Sequence, residues 1–208
     1  CLSRLYVPTE GEIVLSGEAT QDLSPEDMAA KGLGRTFQNI ALFESMTVLE
    51  NVMTGCHYAL KSNFASDVWS SAAVRAERVA ARERISELLK MLRLSDIANQ
   101  SLNEQNFAVR KRIEFARALA GQPKILMLDE PAGGLNHEEV GELENLIRDV
   151  RDVFGVSVLL VEHHLNLVMN VSDRVVAIDF GQKIAEGLPE EVRQNPRVLT
   201  AYLGEEAA

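Results

Sequence analysis

The run Ile125-Leu126-Met127-Leu128-Asp129-Glu130-Pro131 constrains this 208-residue chain more than any other stretch of it. Four consecutive apolar residues read as a strand buried on both faces, and such strands belong to parallel sheets covered by helices. Two acids stand at its carboxyl end, the edge at which open α/β sheets take up ligands. Neighbouring strand positions point opposite ways, so the two carboxylates can divide the work. One is suited to Mg2+ and the other to polarising a water for attack on a γ-phosphate. Alone, a strand that ends in two solvated acids is a common surface feature, and only its surroundings give it weight.

Those surroundings are ordered. Arg117-Ala118-Leu119-Ala120 closes an amphipathic helix upstream, and Ala132-Gly133-Gly134-Leu135-Asn136 follows downstream. A second apolar run, Val156-Ser157-Val158-Leu159-Leu160-Val161, ends at Glu162-His163-His164. Both runs read as parallel strands covered on both faces, with Val140, Leu143, Ile147 and Val150 on one face of a helix between them. Near the start, Glu12–Leu15 reads as a short strand, Ser24-Pro25-Glu26-Asp27 as a helix start, and Gly34–Gln38 as a strand entering a loop. The middle is helical. Thr47 and Glu50 have capping-box spacing, Val79, Ile85, Leu88, Leu89 and Leu92 recur at helical intervals, and Ser-rich Lys61–Ser71 reads as a loop. Arg174–Phe180 and Lys183–Glu186 flank Gly181-Gln182 as a hairpin, and two short helices end the chain. Strand–helix alternation at both ends around a helical middle predicts an α/β core with a helical insertion.

Composition excludes several classes. The net charge of −10 disfavours a nucleic-acid partner, and the Arg-rich run Arg75–Arg84 alternates with acids as a solvated helix face does. Two cysteines, Cys1 and Cys56, cannot form a disulfide framework and point to a reducing compartment. Asp179-Phe180-Gly181 falls in the hairpin, with no catalytic loop before it, and is not a kinase motif. The chain opens at Cys1-Leu2-Ser3-Arg4-Leu5 without a signal peptide, and this opening reads as the tail of a helix.

The order Gln38, a helical region, Arg117-Ala118-Leu119, Leu128-Asp129-Glu130-Pro131, Gly134-Leu135-Asn136 and Glu162-His163 resembles the ATPase subunit of ABC transporters over nearly the whole chain. Gly34-Arg35-Thr36-Phe37-Gln38-Asn39-Ile40, Met46-Thr47-Val48-Leu49-Glu50-Asn51-Val52, Leu167-Val168-Met169 and Ala201-Tyr202-Leu203-Gly204 resemble the branched-chain amino-acid uptake branch, part of whose pattern urea and amide importers share. The resemblance implies an α/β P-loop NTPase core of residues 1–38 and 110–208, with a helical subdomain of residues 39–109 that meets a permease. It implies ATP and Mg2+ as cofactors, with Gln38 and Asp129 at the nucleotide and metal. Glu130 would be the general base, His163 the switch histidine on the γ-phosphate, and Gly134, Leu135 and Asn136 the loop facing a second ATPase subunit. Implied partners are that second subunit, identical or not, two membrane permeases and, indirectly, a periplasmic solute-binding protein, but no nucleic acid. The implied location is the cytoplasmic face of the cell membrane.

Three departures from the family pattern stand beside the resemblance. No G-x-x-x-x-G-K-[ST] loop occurs in the 208 residues, and that loop cradles the β- and γ-phosphates. The expectation is that it lies upstream of Cys1 and that these residues alone bind ATP weakly. The family signature, Leu-Ser-Gly-Gly-Gln, aligns without gaps on Gln105-Asn106-Phe107-Ala108-Val109, where none of its residues is kept. Asn106 can still cap a helix, while the bulk of Phe107 would hold a phosphate away. His164 stands where the family has an aspartate, a change expected to be neutral. The rival readings are a non-hydrolysing ABC-like fragment and, more distantly, a DNA-repair ATPase of the same superfamily.

Overall fold

The computed structural model of the chain describes residues 1–36, 41–56 and 72–203. Gln38 and the Lys61–Ser71 loop lie outside the described residues. Residues 1–6 form turns and bends, with Arg4 at φ 60°. No helix forms over these residues where the sequence reads as the tail of a helix, and a left-handed residue such as Arg4 is compatible with a helix end.

A two-stranded hairpin, β1 (Val14–Leu15) and β2 (Glu18–Ala19), precedes α1 (Pro25–Ala30). Ser24 caps α1 by accepting from the Asp27 amide, and Pro25 occupies the first turn, where its missing N–H costs nothing. The chain then enters β3 (Leu33–Arg35), which pairs in parallel with β4 (Ile125–Asp129). β4 pairs in parallel with β5 (Ser157–Val161), so the sheet order is β3-β4-β5 with the acid-tipped strand in the centre.

Between β3 and β4 lie α2 (Val48–Thr54), α3 (Ala72–Met91) and α4 (Phe107–Ala120). Thr47 and Glu50 form the expected capping box on α2, and the Thr47 amide holds the Glu50 carboxyl below its ordinary pKa. The C-terminal ends of α2 and α4 meet so closely that a Cβ on Gly55 would lie 1.9 Å from the Arg117 carbonyl oxygen. Only glycine fits there. On α3, Ile85, Leu88 and Leu89 are buried as their spacing predicts, as is Leu92 just past its end, but Val79 is 56% exposed.

Helix α5 (His137–Asp152) crosses from β4 to β5, burying Val140, Leu143, Ile147 and Val150. The residues of α2–α5, β4 and β5 share one apolar core. β4 is buried as expected, with Leu126 and Leu128 at 0% and 1% exposure. β5 is not: Val158 and Leu160 pack on the core, whereas Leu159 and Val161 are 41% and 56% exposed. Its apolar run gives no sign of this, because α5 covers one face and a strand alternates.

Helix α6 (Leu165–Val171) leads to the hairpin of β6 (Val175–Asp179) and β7 (Gln182–Gly187). Its loop residues Phe180 and Gly181 both have positive φ, the geometry of a two-residue hairpin turn. The short helices α7 (Pro189–Arg193) and α8 (Pro196–Leu203) complete the order, and Val192 and Val198 form a second small core with Val175. Among the described residues, no helix is long and apolar enough to cross a membrane.

Candidate functional site

Asp129 is the last residue of β4, directly opposite Val161 of β5. The Glu130 amide donates to the Val161 carbonyl at 2.9 Å, so the sheet's hydrogen bonding runs one residue past the strand. There the backbone turns left-handed, with Glu130 at φ 46°. The two acids thus diverge because Glu130 has left the strand, not because strand positions alternate. A non-glycine residue held at positive φ is a local strain that surrounding structure must sustain.

Glu130 and His163 come together across the two strand ends, with Glu130 Oε1 3.8 Å from His163 Nδ1. The His163 side chain is 76% exposed, and those of Asp129 and Glu130 are 35% and 39% exposed, so all three reach an open edge. His163 and His164 are likewise not strand neighbours, because β5 ends at Val161. His164 instead caps α6, its Nδ1 accepting from the Leu167 amide at 3.4 Å. A short acceptor is what that position requires, which gives the histidine a local structural use in place of an aspartate.

The loop after β4 returns to the protein at Gly134, φ 80°, and enters α5 at Asn136. Asn136 Oδ1 accepts from the Glu138 and Glu139 amides, while Glu139 accepts from the Asn136 amide, so this residue builds a capping box. Leu135 packs against the main core. A Cβ on Gly134 would approach the Phe107 ring to 3.1 Å.

That ring brings the start of α4 to the same loop. Asn106 is the N-cap, and its Oδ1 accepts from the Val109 amide at 2.9 Å. Phe107 is 46% exposed at the first helical position, and the buried Lys111 ammonium lies 5.7 Å from its ring centroid. Asn106 caps as the sequence predicts. The contact of Phe107 with Gly134 has no counterpart in the sequence pattern.

Sequence reasoning misses two further site residues. Arg35, at the end of β3, places Nη2 3.3 Å from Asp129 Oδ2 and donates from Nη1 to Ser3 Oγ at 3.0 Å. Its signal is an arginine ending a strand that neighbours the acid-tipped one. Glu162 carries a side chain with no solvent exposure, hydrogen-bonded to both loops. The sequence offers only its position between an apolar strand and a histidine.

Among the described residues, no cluster of three or more His, Cys, Asp or Glu could cage a cation. The carboxylate donors at the edge are those of Asp129 and Glu130, both part-exposed. Mg2+ is commonly held by one or two carboxylates, with phosphates and waters completing its shell, and this donor set fits that habit.

Known proteins give the arrangement a relation. The ABC transporter family profile matches residues 1–133, and that of the branched-chain amino acid ATP-binding cassette transporter matches residues 182–208. The chain is 42% identical over 205 residues to the high-affinity branched-chain amino acid transport ATP-binding protein BraF of Pseudomonas aeruginosa, covering 99% of this chain and 80% of that one. It is 39% identical, with the same coverage, to LivG of Escherichia coli, which carries the same description. Among solved structures, the ADP conformation of MJ1267, an ATP-binding cassette of an ABC transporter, superposes with a TM-score of 0.79 at 25% identity, covering 98% of this chain and 81% of that one. The dimeric post-hydrolysis cassette MJ0796 with ADP and Pi gives 0.69 at 26% identity, covering 90% of this chain and 77% of that one.

Proposed function

Since this chain belongs to the ABC transporter family of ATP-binding subunits, within its branched-chain amino-acid branch, we propose that it hydrolyses ATP to drive uptake of branched-chain amino acids through partner permeases. The observation that carries the chemistry is the meeting of Glu130 and His163 at 3.8 Å beside Asp129, on the carboxyl edge of a parallel sheet. Bound Mg2+ would neutralise phosphate charge, and Asp129 is the carboxylate suited to hold it. Glu130 Oε1 accepts the proton of the attacking water. His163, exposed and across from Glu130, donates to the γ-phosphate and keeps the water and phosphorus aligned. Gln38 completes this reading as the residue between nucleotide and permease.

Residues 39–109 are the part we assign to permease docking, which puts the subunit on the inner face of the cell membrane. Gly134, Leu135 and Asn136 face a second ATPase subunit in this reading. In such pairs, each site combines one subunit's acids and histidine with the other's signature helix. Asn106, Phe107, Ala108 and Val109 present no hydroxyl and no glycine there. Asn106 already accepts from its own helix, and Phe107 lies against Gly134. These contacts favour a pair of unequal sites, with hydrolysis at the Asp129–Glu130–His163 site closed by a partner's intact signature.

The test is Glu130→Gln in the assembled transporter. Removing a general base costs about 10²–10⁴-fold in rate, so turnover should nearly vanish while ATP binding persists. Turnover within a few-fold of the parent would overturn the assignment.

A further inference from the structure

We propose that Glu162 is a positioning residue that holds the switch histidine and the loop behind the general base in one rigid unit. This role rests on those given above to Glu130 and His163. Glu162 is the first residue after β5, and its side chain has no solvent exposure. A carboxylate in such a place is costly unless hydrogen bonds replace the lost water. Three backbone amides do so. Oε1 accepts from the Ala132 amide at 2.9 Å, and Oε2 accepts from the His163 amide at 2.8 Å and the His164 amide at 3.0 Å.

These donors belong to two different loops. Ala132 lies two residues after Glu130, on the chain leaving β4, whereas His163 and His164 lie on the chain leaving β5. The main sheet ladder ends at the bond between the Glu130 amide and the Val161 carbonyl. Past that point, Glu162 continues the connection between the two strands with a side chain. It therefore bridges the segments that carry Glu130 on one side and His163 on the other. The same oxygen, Oε2, lies 3.5 Å from His163 Nδ1, so the carboxylate also faces the imidazole whose backbone it holds. The bridge ties the entrance of the Gly133–Asn136 loop to the histidine, so a shift of that loop at the partner subunit is transmitted to the γ-phosphate contact.

Only an all-acceptor group suits three converging N–H donors. A glutamine has nearly the same shape but turns an NH2 group toward one of them. An aspartate keeps the charge and can still accept from an amide two residues on, but it is one methylene too short to bridge to Ala132 in the same pose. Glu162→Asp thus separates the local bonds from the bridge.

The experiment uses the full subunit, assembled with its partners for kinetics. Misplacing a catalytic group by about an ångström can cost roughly 100-fold in rate, so Glu162→Gln and Glu162→Asp should each lower kcat by about 10- to 100-fold with KM for ATP within about 3-fold. Backbone exchange gives the second readout. The Ala132 amide should be protected in the parent and lose at least about 10-fold of that protection in either variant, while Leu126 and Leu128 of β4 keep theirs. In a His163→Ala background, Glu162→Gln should add less than about 3-fold, because the two act as a unit. Full additivity with His163→Ala, a raised KM at unchanged kcat, or an Ala132 amide that exchanges freely in the parent would each overturn the proposal. If Glu130→Gln proved harmless while Ala132 still lost protection, the catalytic reading would fall and the bridge would be only structural.

Discussion

At the carboxyl edge of the sheet, side chains from different strands meet one another; at the N-terminus of α4 the polar side chain serves its own helix. Asp129, Glu130 and His163 expose 35%, 39% and 76% of their side chains. Asn106 accepts from the Val109 amide, and Phe107, itself 46% exposed, lies against Gly134 with Lys111 near its ring. Both places suit an anion in principle, one through a metal and a base, the other through helix N–H groups. The difference lies in what the polar side chains already serve. At the sheet edge, backbone bonds and the buried Glu162 hold the loops and leave Glu130 facing His163, whereas α4 uses its cap residue to satisfy its own first turn.

The sharpest way to break this contrast is to disable the two ATP sites of the pair separately. Glu130→Gln should remove most turnover, by about 10²–10⁴-fold, and the equivalent change in a different partner subunit should remove little. Losing one or two charge-assisted bonds to phosphate, each worth about 1.5–3 kcal/mol, accounts for a site slowed by roughly 10- to 1000-fold or more. Equal losses would mean that α4 works as a signature or that the sites are coupled, and Asn106→Ser with Ala108→Gly would then separate those two outcomes.

Gly134→Ala probes where the two regions touch. It forces a Cβ onto a residue at φ 80° and toward the Phe107 ring. The left-handed conformation costs an L-residue about 1–2 kcal/mol, so the midpoint of thermal unfolding should fall. Adding Phe107→Ala should relieve the steric part and leave the backbone part. Full recovery would show that φ is not constraining there.

Asn106→Ala tests whether the cap of α4 is structural. The expected loss is about 1 kcal/mol of stability, read from denaturant unfolding, with Asn106→Gly costing only a few tenths. The smallest effect belongs to Arg35→Gln. Its pair with Asp129 is part-exposed, and such pairs are worth about 0–1 kcal/mol, so the unfolding midpoint should barely move. A drop larger than that would mark the Arg35–Asp129 contact as part of the frame that supports the acids.

Much of the fold is legible in the amino-acid sequence alone. Residue type and spacing predict the caps at Ser24, Thr47 and Asn106, and each accepts from an amide three residues away. The buried face of α5 and the strand β4 follow from periodicity and run length. The relation to ABC ATPases follows from the order of short motifs along the chain. The sequence also marks Asp129, Glu130 and His163 together, although strand alternation is the wrong reason for the divergence of the acids.

Other features are closed to it. That Leu159 and Val161 stand exposed depends on which face of β5 α5 happens to cover. That Glu162 joins the Ala132 amide to the His163 and His164 amides depends on two strand ends lying side by side, far apart in sequence. The meeting of Phe107 with Gly134 depends on how α4 approaches the loop after β4. Caps, turns and apolar periodicity are settled within a few residues, where the chain's own geometry brings partners together. The clamp, the exposed strand face and the contact of Phe107 with Gly134 depend on residues tens of positions apart, and only the packing of the core sets those distances.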